Sequence, residues 1–205
     1  MKFAYLNPTI VAMEDVPSEA FVKLHSIVEF AHTHAELNDE GNDAISIRGG
    51  QQIQLYPNVF NLDISFLKSY VEEAAQEYMD NIQLQNPTLD LSAVRPEMVS
   101  AWTIRQTQGD YQTLHTHEAN ISGNIYIDVP AFAEDSKAYD GNIEFRFPVM
   151  RNPAHFVFQD NWRVAPEQSK MIVFPGNIPH TVYPWRGEGS RTVLAWDVKL
   201  IDRNA

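Results

Sequence analysis

Between residues 18 and 36, Phe21, Leu24, Val28, Ala31 and Ala35 recur at helical spacing, while Lys23, Glu29 and Glu36 fall on the opposite side. The pattern predicts an amphipathic helix with one face on a sheet. Its start is signalled by Asp15-Val16-Pro17-Ser18-Glu19, which offers a capping side chain, an early proline and an acid in the first turn. A second helix is predicted over about 64–84, capped by Asp63 and striped by Phe66, Leu67, Tyr70, Val71, Ala74, Tyr78 and Ile82. That stripe reads as core. Asn86-Pro87 ends it.

From Glu97 onward the period changes to short apolar runs rich in Val, Ile, Phe, Tyr and Trp, punctuated by turns such as Asp140-Gly141 and Gly187-Glu188-Gly189. Strands are predicted at 98–106, 111–117, 122–129, 142–147, 155–158, 171–174, 181–184 and 191–200. A further short strand is expected at 2–6, and the polar, glycine-bearing stretch 38–52 reads as loop. Strands following two helices predict a mainly β, α+β chain, a double-sheet jelly roll with the helices packed on one outer face. One domain is expected over 1–205, with a helical part at 1–96 supporting a jelly-roll core at 97–200.

Composition narrows the function. The formal charge of −12, with no run of Lys or Arg, argues against binding nucleic acid or anionic membranes. There is no cysteine, so a thiolate nucleophile is excluded and a metal would have to be held by His, Asp or Glu. No apolar leader and no run near the roughly 18 apolar residues of a spanning helix occur, so a cytoplasmic location is expected. Serine-hydrolase and phosphate-loop patterns are missing as well.

The chemistry concentrates at 109–126. In an extended strand, His115 and His117 leave the same side while Thr116 and Glu118 leave the other. A third histidine, His180, follows the apolar run Met171–Phe174 and a Pro175-Gly176 turn, which sets it at the start of the next strand. A close pair on one strand plus a distant His on another leaves half an octahedral shell free, the facial arrangement suited to non-haem iron. Farther on, alternation places Arg191, Val193, Ala195 and Asp197 on one strand face. If that face is interior, Arg191 is a buried guanidinium that calls for an anion, such as a dicarboxylate held by a bidentate fork. The other histidines, His25, His32 and His34 on the first helix and His155 in the sheet region, read as boundary or structural residues.

The Trp102 strand, Gly109 leading to His115-Thr116-His117, Ser122-Gly-Asn-Ile-Tyr126, Gly141-Asn-Ile-Glu-Phe145, Phe174-Pro-Gly, His180 and Arg191 stand in an order that resembles one family. It is the iron(II)- and 2-oxoglutarate-dependent oxygenase superfamily, particularly its prolyl-hydroxylase-like branch and the related oxygenases of marine bacteria and their phages. The resemblance covers roughly 97–200 and implies a double-stranded β-helix, a cupin-like jelly roll. It further implies Fe(II) on His115, His117 and His180, with 2-oxoglutarate on Arg191 and Tyr126. Trp196 is expected to line the pocket.

His117 departs from the pattern, because the family has Asp or Glu there. Either three imidazoles form the site, with charge +2 on a bound Fe(II) in place of +1, or the register shifts so that His117 is the first ligand and Ala119 takes the carboxylate position. A bulge recruiting Glu118 is a further route. The implied reaction is oxidation of a small molecule or protein side chain with O2, and 131–141, bearing Phe132 and Tyr139, is the expected lid. The rival readings are a cupin-like three-His metalloprotein that does not use 2-oxoglutarate and a non-catalytic β-sandwich. An exposed sheet edge permits a homodimer.

Overall fold

The computed structural model describes residues 10–35, 47–56, 62–147 and 161–203. Among these described residues eleven strands and two helices follow in the order β1 (Ala12–Asp15), α1 (Ser18–Thr33), β2 (Ile47–Arg48), β3 (Gln51–Tyr56), α2 (Ser65–Gln85), β4 (Val94–Gln106), β5 (Tyr111–His115), β6 (Ile121–Asp128), β7 (Ile143–Arg146), β8 (Asn161–Val164), β9 (Lys170–Pro175), β10 (His180–Val182) and β11 (Arg191–Asp202). They pair antiparallel into a major sheet ordered β1-β9-β6-β11-β4-β3 and a minor sheet ordered β2-β5-β10-β7-β8. The cavity lies between the two sheets, its lining drawn from strands of both.

The outer face of the major sheet carries the apolar core. Leu24, Ile27, Val28 and Ala31 of α1 and Leu67, Val71, Ala75, Tyr78 and Met79 of α2 join Ile53, Met98, Ile125, Leu194, Trp196 and Val198 in one buried cluster. The inward residues of the same strands alternate with these, as a half-buried strand requires. A second cluster, including Ile143, Phe145, Ile172, Phe174 and Val182, fills part of the space between the sheets. Gly123 of β6 makes the first cluster possible: a Cβ there would lie 2.1 Å from the Trp196 ring.

Both helices occur where the apolar periodicity put them. At the start of α2 the Asp63 carboxylate accepts from the Ser65 backbone N–H at 3.0 Å, but the expected cap shifts by one residue, since Ile64 occupies the cap position without a side-chain bond. At α1 the expected cap is corrected, since Asp15 ends β1 opposite Lys170 and Pro17 occupies the cap position without a side-chain bond. Seven of the strands expected after residue 97 are present. The segment 155–158, with His155, lies outside the described residues, as does 2–6.

Four strands escaped the pattern: β1, β2, β3 and β8. Stretch 38–52 is therefore loop only in part, because Gly49-Gly50 turns the chain from β2 into β3. In β3, Ile53 and Leu55 face the helices while Gln52 and Gln54 line the cavity, so the region before residue 96 contributes to both sheets.

Candidate functional site

His115 and His180 face each other because β5 and β10 pair in register at these two residues. His117 lies two residues past the end of β5, and its N–H donates to the Gly176 carbonyl at 2.8 Å. The Pro175-Gly176 turn comes so near that a Cβ on Gly176 would lie 2.4 Å from the Ala119 oxygen. Glycine there lets the turn after β9 hold the histidine loop. Ring centroids are 4.3 Å apart for His115 and His180, 5.1 Å for His117 and His180, and 5.4 Å for His115 and His117. One nitrogen from each lies within 4.8 Å of the others.

Hydrogen bonding fixes which nitrogens are free. His115 Nδ1 lies 2.7 Å from the Thr113 carbonyl and His180 Nδ1 lies 3.0 Å from the Ile178 carbonyl. A carbonyl only accepts, so both Nδ1 atoms carry the proton and both Nε2 atoms keep a lone pair. His117 Nδ1 meets the Asp197 carboxylate at 2.7 Å, which makes the same choice. Burial lowers the His180 pKa to about 3, with the neighbouring imidazoles adding to the effect, and burial lowers His115 as well. Neutral, preoriented imidazoles suit a transition metal.

The cavity beside them measures about 320 Å³. At one end Arg191 is 1% exposed, and no carboxylate pairs with it among the described residues. It donates to the Gly141 carbonyl and to Gln106 Oε1, each at 2.7 Å, while its Nε has no partner. Gln106 Nε2 and Asn124 Oδ1 are also buried and unpartnered. Tyr126 is buried close by, its hydroxyl pushed up to about 12 by desolvation, so it remains a donor at neutral pH. The unmet donors, Arg191 Nε and Gln106 Nε2, form a receptor for an anion around the buried cation, whereas the Asn124 oxygen is an acceptor and takes no part in it.

The other wall is polar but uncharged, with Gln52, Gln54, Ser100 and Thr116, and with Trp102 ring-centred 5.5 Å from His117. Among the lining residues only Arg191 and Asp197 are ionic.

All five residues singled out from the sequence line this cavity: His115, His117, His180, Arg191 and Tyr126. Ala119 and Glu118 do not. Trp196 is a correction, since its side chain packs against the helices, opposite the cavity. The 131–141 segment is another: Phe132 stacks on Trp185, Ala133 N–H donates to the Arg186 carbonyl, and Gly141 holds Arg191. Neither Phe132 nor Tyr139 lines the cavity, and the loop meets it only through the Gly141 carbonyl on Arg191.

Sequence reasoning gave no role to Gln106, Asn124, Ser122 or Asp197, although the strand alternation that selects Arg191 also selects Asp197. On α1, His32 contacts Thr103 Oγ1 at 3.1 Å and His25 approaches Asp128. Glu29, beside that pair, is bonded by Arg105. This is a polar seam between helix and sheet.

Residues 100–197 match a family model described as "Putative 2OG-Fe(II) oxygenase". No curated protein matches the chain in sequence. Among solved structures, a prolyl hydroxylase from Trichoplax adhaerens, in complex with a hypoxia inducible factor peptide, is similar with TM-score 0.61 and 11% identity over 95% of this chain and 84% of that one. A Pseudomonas putida prolyl-4-hydroxylase gives TM-score 0.56 and 15% identity over 93% of each chain. HygX from Streptomyces hygroscopicus, with nickel and 2-oxoglutarate bound, gives TM-score 0.52 and 12% identity over 93% of this chain and 82% of that one. At these identities the likenesses establish a shared fold.

Proposed function

Taking as premise that the chain belongs to the iron(II)- and 2-oxoglutarate-dependent oxygenase superfamily, we propose that His115, His117 and His180 hold its Fe(II) through Nε2 and that Arg191 and Tyr126 bind its 2-oxoglutarate. The observation that carries this reading is the buried Arg191, whose Nε lacks a partner in a cavity that also holds the three histidines. A cupin-like metalloprotein without an anionic cosubstrate would leave that guanidinium uncompensated, at a desolvation cost of several kcal/mol.

Each residue has a definable task. The Thr113 and Ile178 carbonyls fix the tautomers of His115 and His180. Gln106 and the Gly141 carbonyl hold Arg191 in plane, leaving Nε and the remaining N–H groups for a carboxylate. Tyr126 offers a protonated hydroxyl to the same carboxylate. Ile104, Ile143, Val182 and Val193 supply apolar lining of the cavity, which favours exclusion of water from the reacting centre. When bound, iron would activate O2, the oxidant, while 2-oxoglutarate would be oxidised to succinate and CO2 as co-reductant, so that the remaining oxidising power of O2 reaches a substrate C–H bond. The substrate, a small molecule or a protein side chain, approaches over Trp102, Gln54 and Ser100, uncharged lining residues of which Trp102 is ring-centred 5.5 Å from His117.

The test is succinate formation from 2-oxoglutarate by the Fe(II)-loaded protein under air, measured against His115→Ala and His180→Ala. At least a hundredfold loss in both variants, with unfolding midpoints near that of the parent, is expected. Turnover retained in either would remove that histidine from the site.

A further inference from the structure

Three neutral imidazoles leave a bound divalent cation with its full +2 charge, whereas the family's usual carboxylate ligand cancels one unit. In this chain a carboxylate is present one residue removed. Asp197 Oδ1 lies 2.7 Å from His117 Nδ1 and also accepts from Ser122 Oγ at 2.6 Å. The three groups are largely shielded: Ser122 is fully buried, and the His117 and Asp197 side chains are 11% and 17% exposed. The arrangement is built from the fold. Asp197 stands opposite Ser122 in the β11–β6 ladder, and the β11–β4 register shifts between Asp197 and Val198, a bulge of the kind that re-aims a side chain.

We propose that Asp197 is a positioning residue which returns to the metal, through His117, the negative charge that substitution of the usual carboxylate removed. The inference rests on the reading of the three histidines as ligands. A carboxylate on Nδ1–H raises the electron density at Nε2, holds the ring in its tautomer, and places a full negative charge next to the ligand set. The net charge over metal, histidines and Asp197 is then +1, as in a site with a direct carboxylate ligand. Ser122 holds the second position on the same oxygen, so Asp197 is kept turned toward His117 and away from the metal face.

Two variants separate charge from shape. Asp197→Asn keeps the size and an oxygen acceptor for His117 but deletes the charge. Ser122→Ala keeps the charge and leaves His117 as its main partner. Co(II) affinity is measured by chelator competition, and the charge-transfer absorption of the anaerobic protein with Fe(II) and 2-oxoglutarate is recorded for the parent and both variants. Asp197→Asn should weaken Co(II) about 10–100-fold and move the band to shorter wavelength, because a more positive iron holds its electrons more tightly. Ser122→Ala should leave affinity within about threefold and move the band, if at all, the opposite way. A role confined to structure would not give shifts of opposite sign.

Affinity and band both unchanged in Asp197→Asn would overturn the proposal. So would a loss beyond about a thousandfold, since that would make Asp197 a ligand itself. If Asp197→Asn does not fold, a shift to shorter wavelength in Ser122→Ala overturns it alone. A parent protein that bound no Co(II) would fail the reading of the histidines instead, which keeps the two failures distinguishable.

Discussion

Neighbouring side chains of β11 meet different surroundings. Leu194, Trp196 and Val198 are buried among helix residues, with no polar group asked of them beyond the Trp196 indole N–H. Arg191, Val193, Ala195 and Asp197 line a cavity and include its two ionic groups. The helix face gains by removing apolar area from water, at roughly 25 cal/mol per Å². The cavity face gives up stability, since Arg191 is desolvated with no carboxylate in contact, the Asp110 charge acting on it only from a distance. On the proposed reading, function is concentrated on the side of the strand that folding alone would fill differently, and substitutions on the two faces should have separable effects.

The largest separation should come from Trp196→Ala. Loss of a fully buried indole is expected to reduce stability by about 3–5 kcal/mol in urea unfolding, while any protein that remains folded keeps its 2-oxoglutarate affinity. A stability change below about 1 kcal/mol would mean that the helices do not depend on this face. On the cavity side the expectation reverses for Arg191→Gln. Cosubstrate affinity by calorimetry should fall by about 1.5–3 kcal/mol, the worth of hydrogen bonds to a charged group, with unfolding stability equal to or above the parent. Equal losses in both measurements would erase the distinction between the faces.

A smaller effect belongs to the polar seam under α1. Burial, assisted by the Arg105 charge, lowers His32 from 6.5 to about 4. Between those pH values the unfolded chain binds a proton that the folded chain does not, so stability rises with pH across the window and is lost on acidification. Glu29 and Asp128 oppose the shift, and partial exposure moderates it. His32→Gln should flatten the stability profile between pH 6.5 and 4. A slope unchanged by the substitution would assign acid sensitivity to other groups.

The sequence made the helix face easy to read. A 3.6-residue period in α1 and α2 and apolar alternation in β6 and β11 are each carried by several large side chains, so single exceptions did not blur them. Gln52 and Gln54 in β3 obscured an alternation that Ile53 and Leu55 alone had to carry, and the strand was read as loop. Within the site, the three histidines stood out because a same-face pair is joined by a third at the start of another strand, and they and Arg191 stand in an order that resembles one family. Gln106 and Asn124 carry no such mark. Their importance arises from lost partners, which only the assembled cavity reveals. Trp196 was placed in the pocket by the resemblance, although the alternation that set Arg191, Val193, Ala195 and Asp197 on one face already put it on the other, where it packs in the core. The 131–141 loop looked free in sequence, yet its backbone bonds to the segment around Arg186 tie it down.

The most direct test of the central claim is anaerobic titration of the metal-free protein with Fe(II) and then 2-oxoglutarate, following the visible metal-to-cosubstrate absorption. The account predicts a band that requires both components, disappears in His115→Ala and His180→Ala, and needs far more 2-oxoglutarate to develop in Arg191→Gln. A band that survives either histidine substitution, or that develops at the parent's 2-oxoglutarate concentration without Arg191, would contradict it.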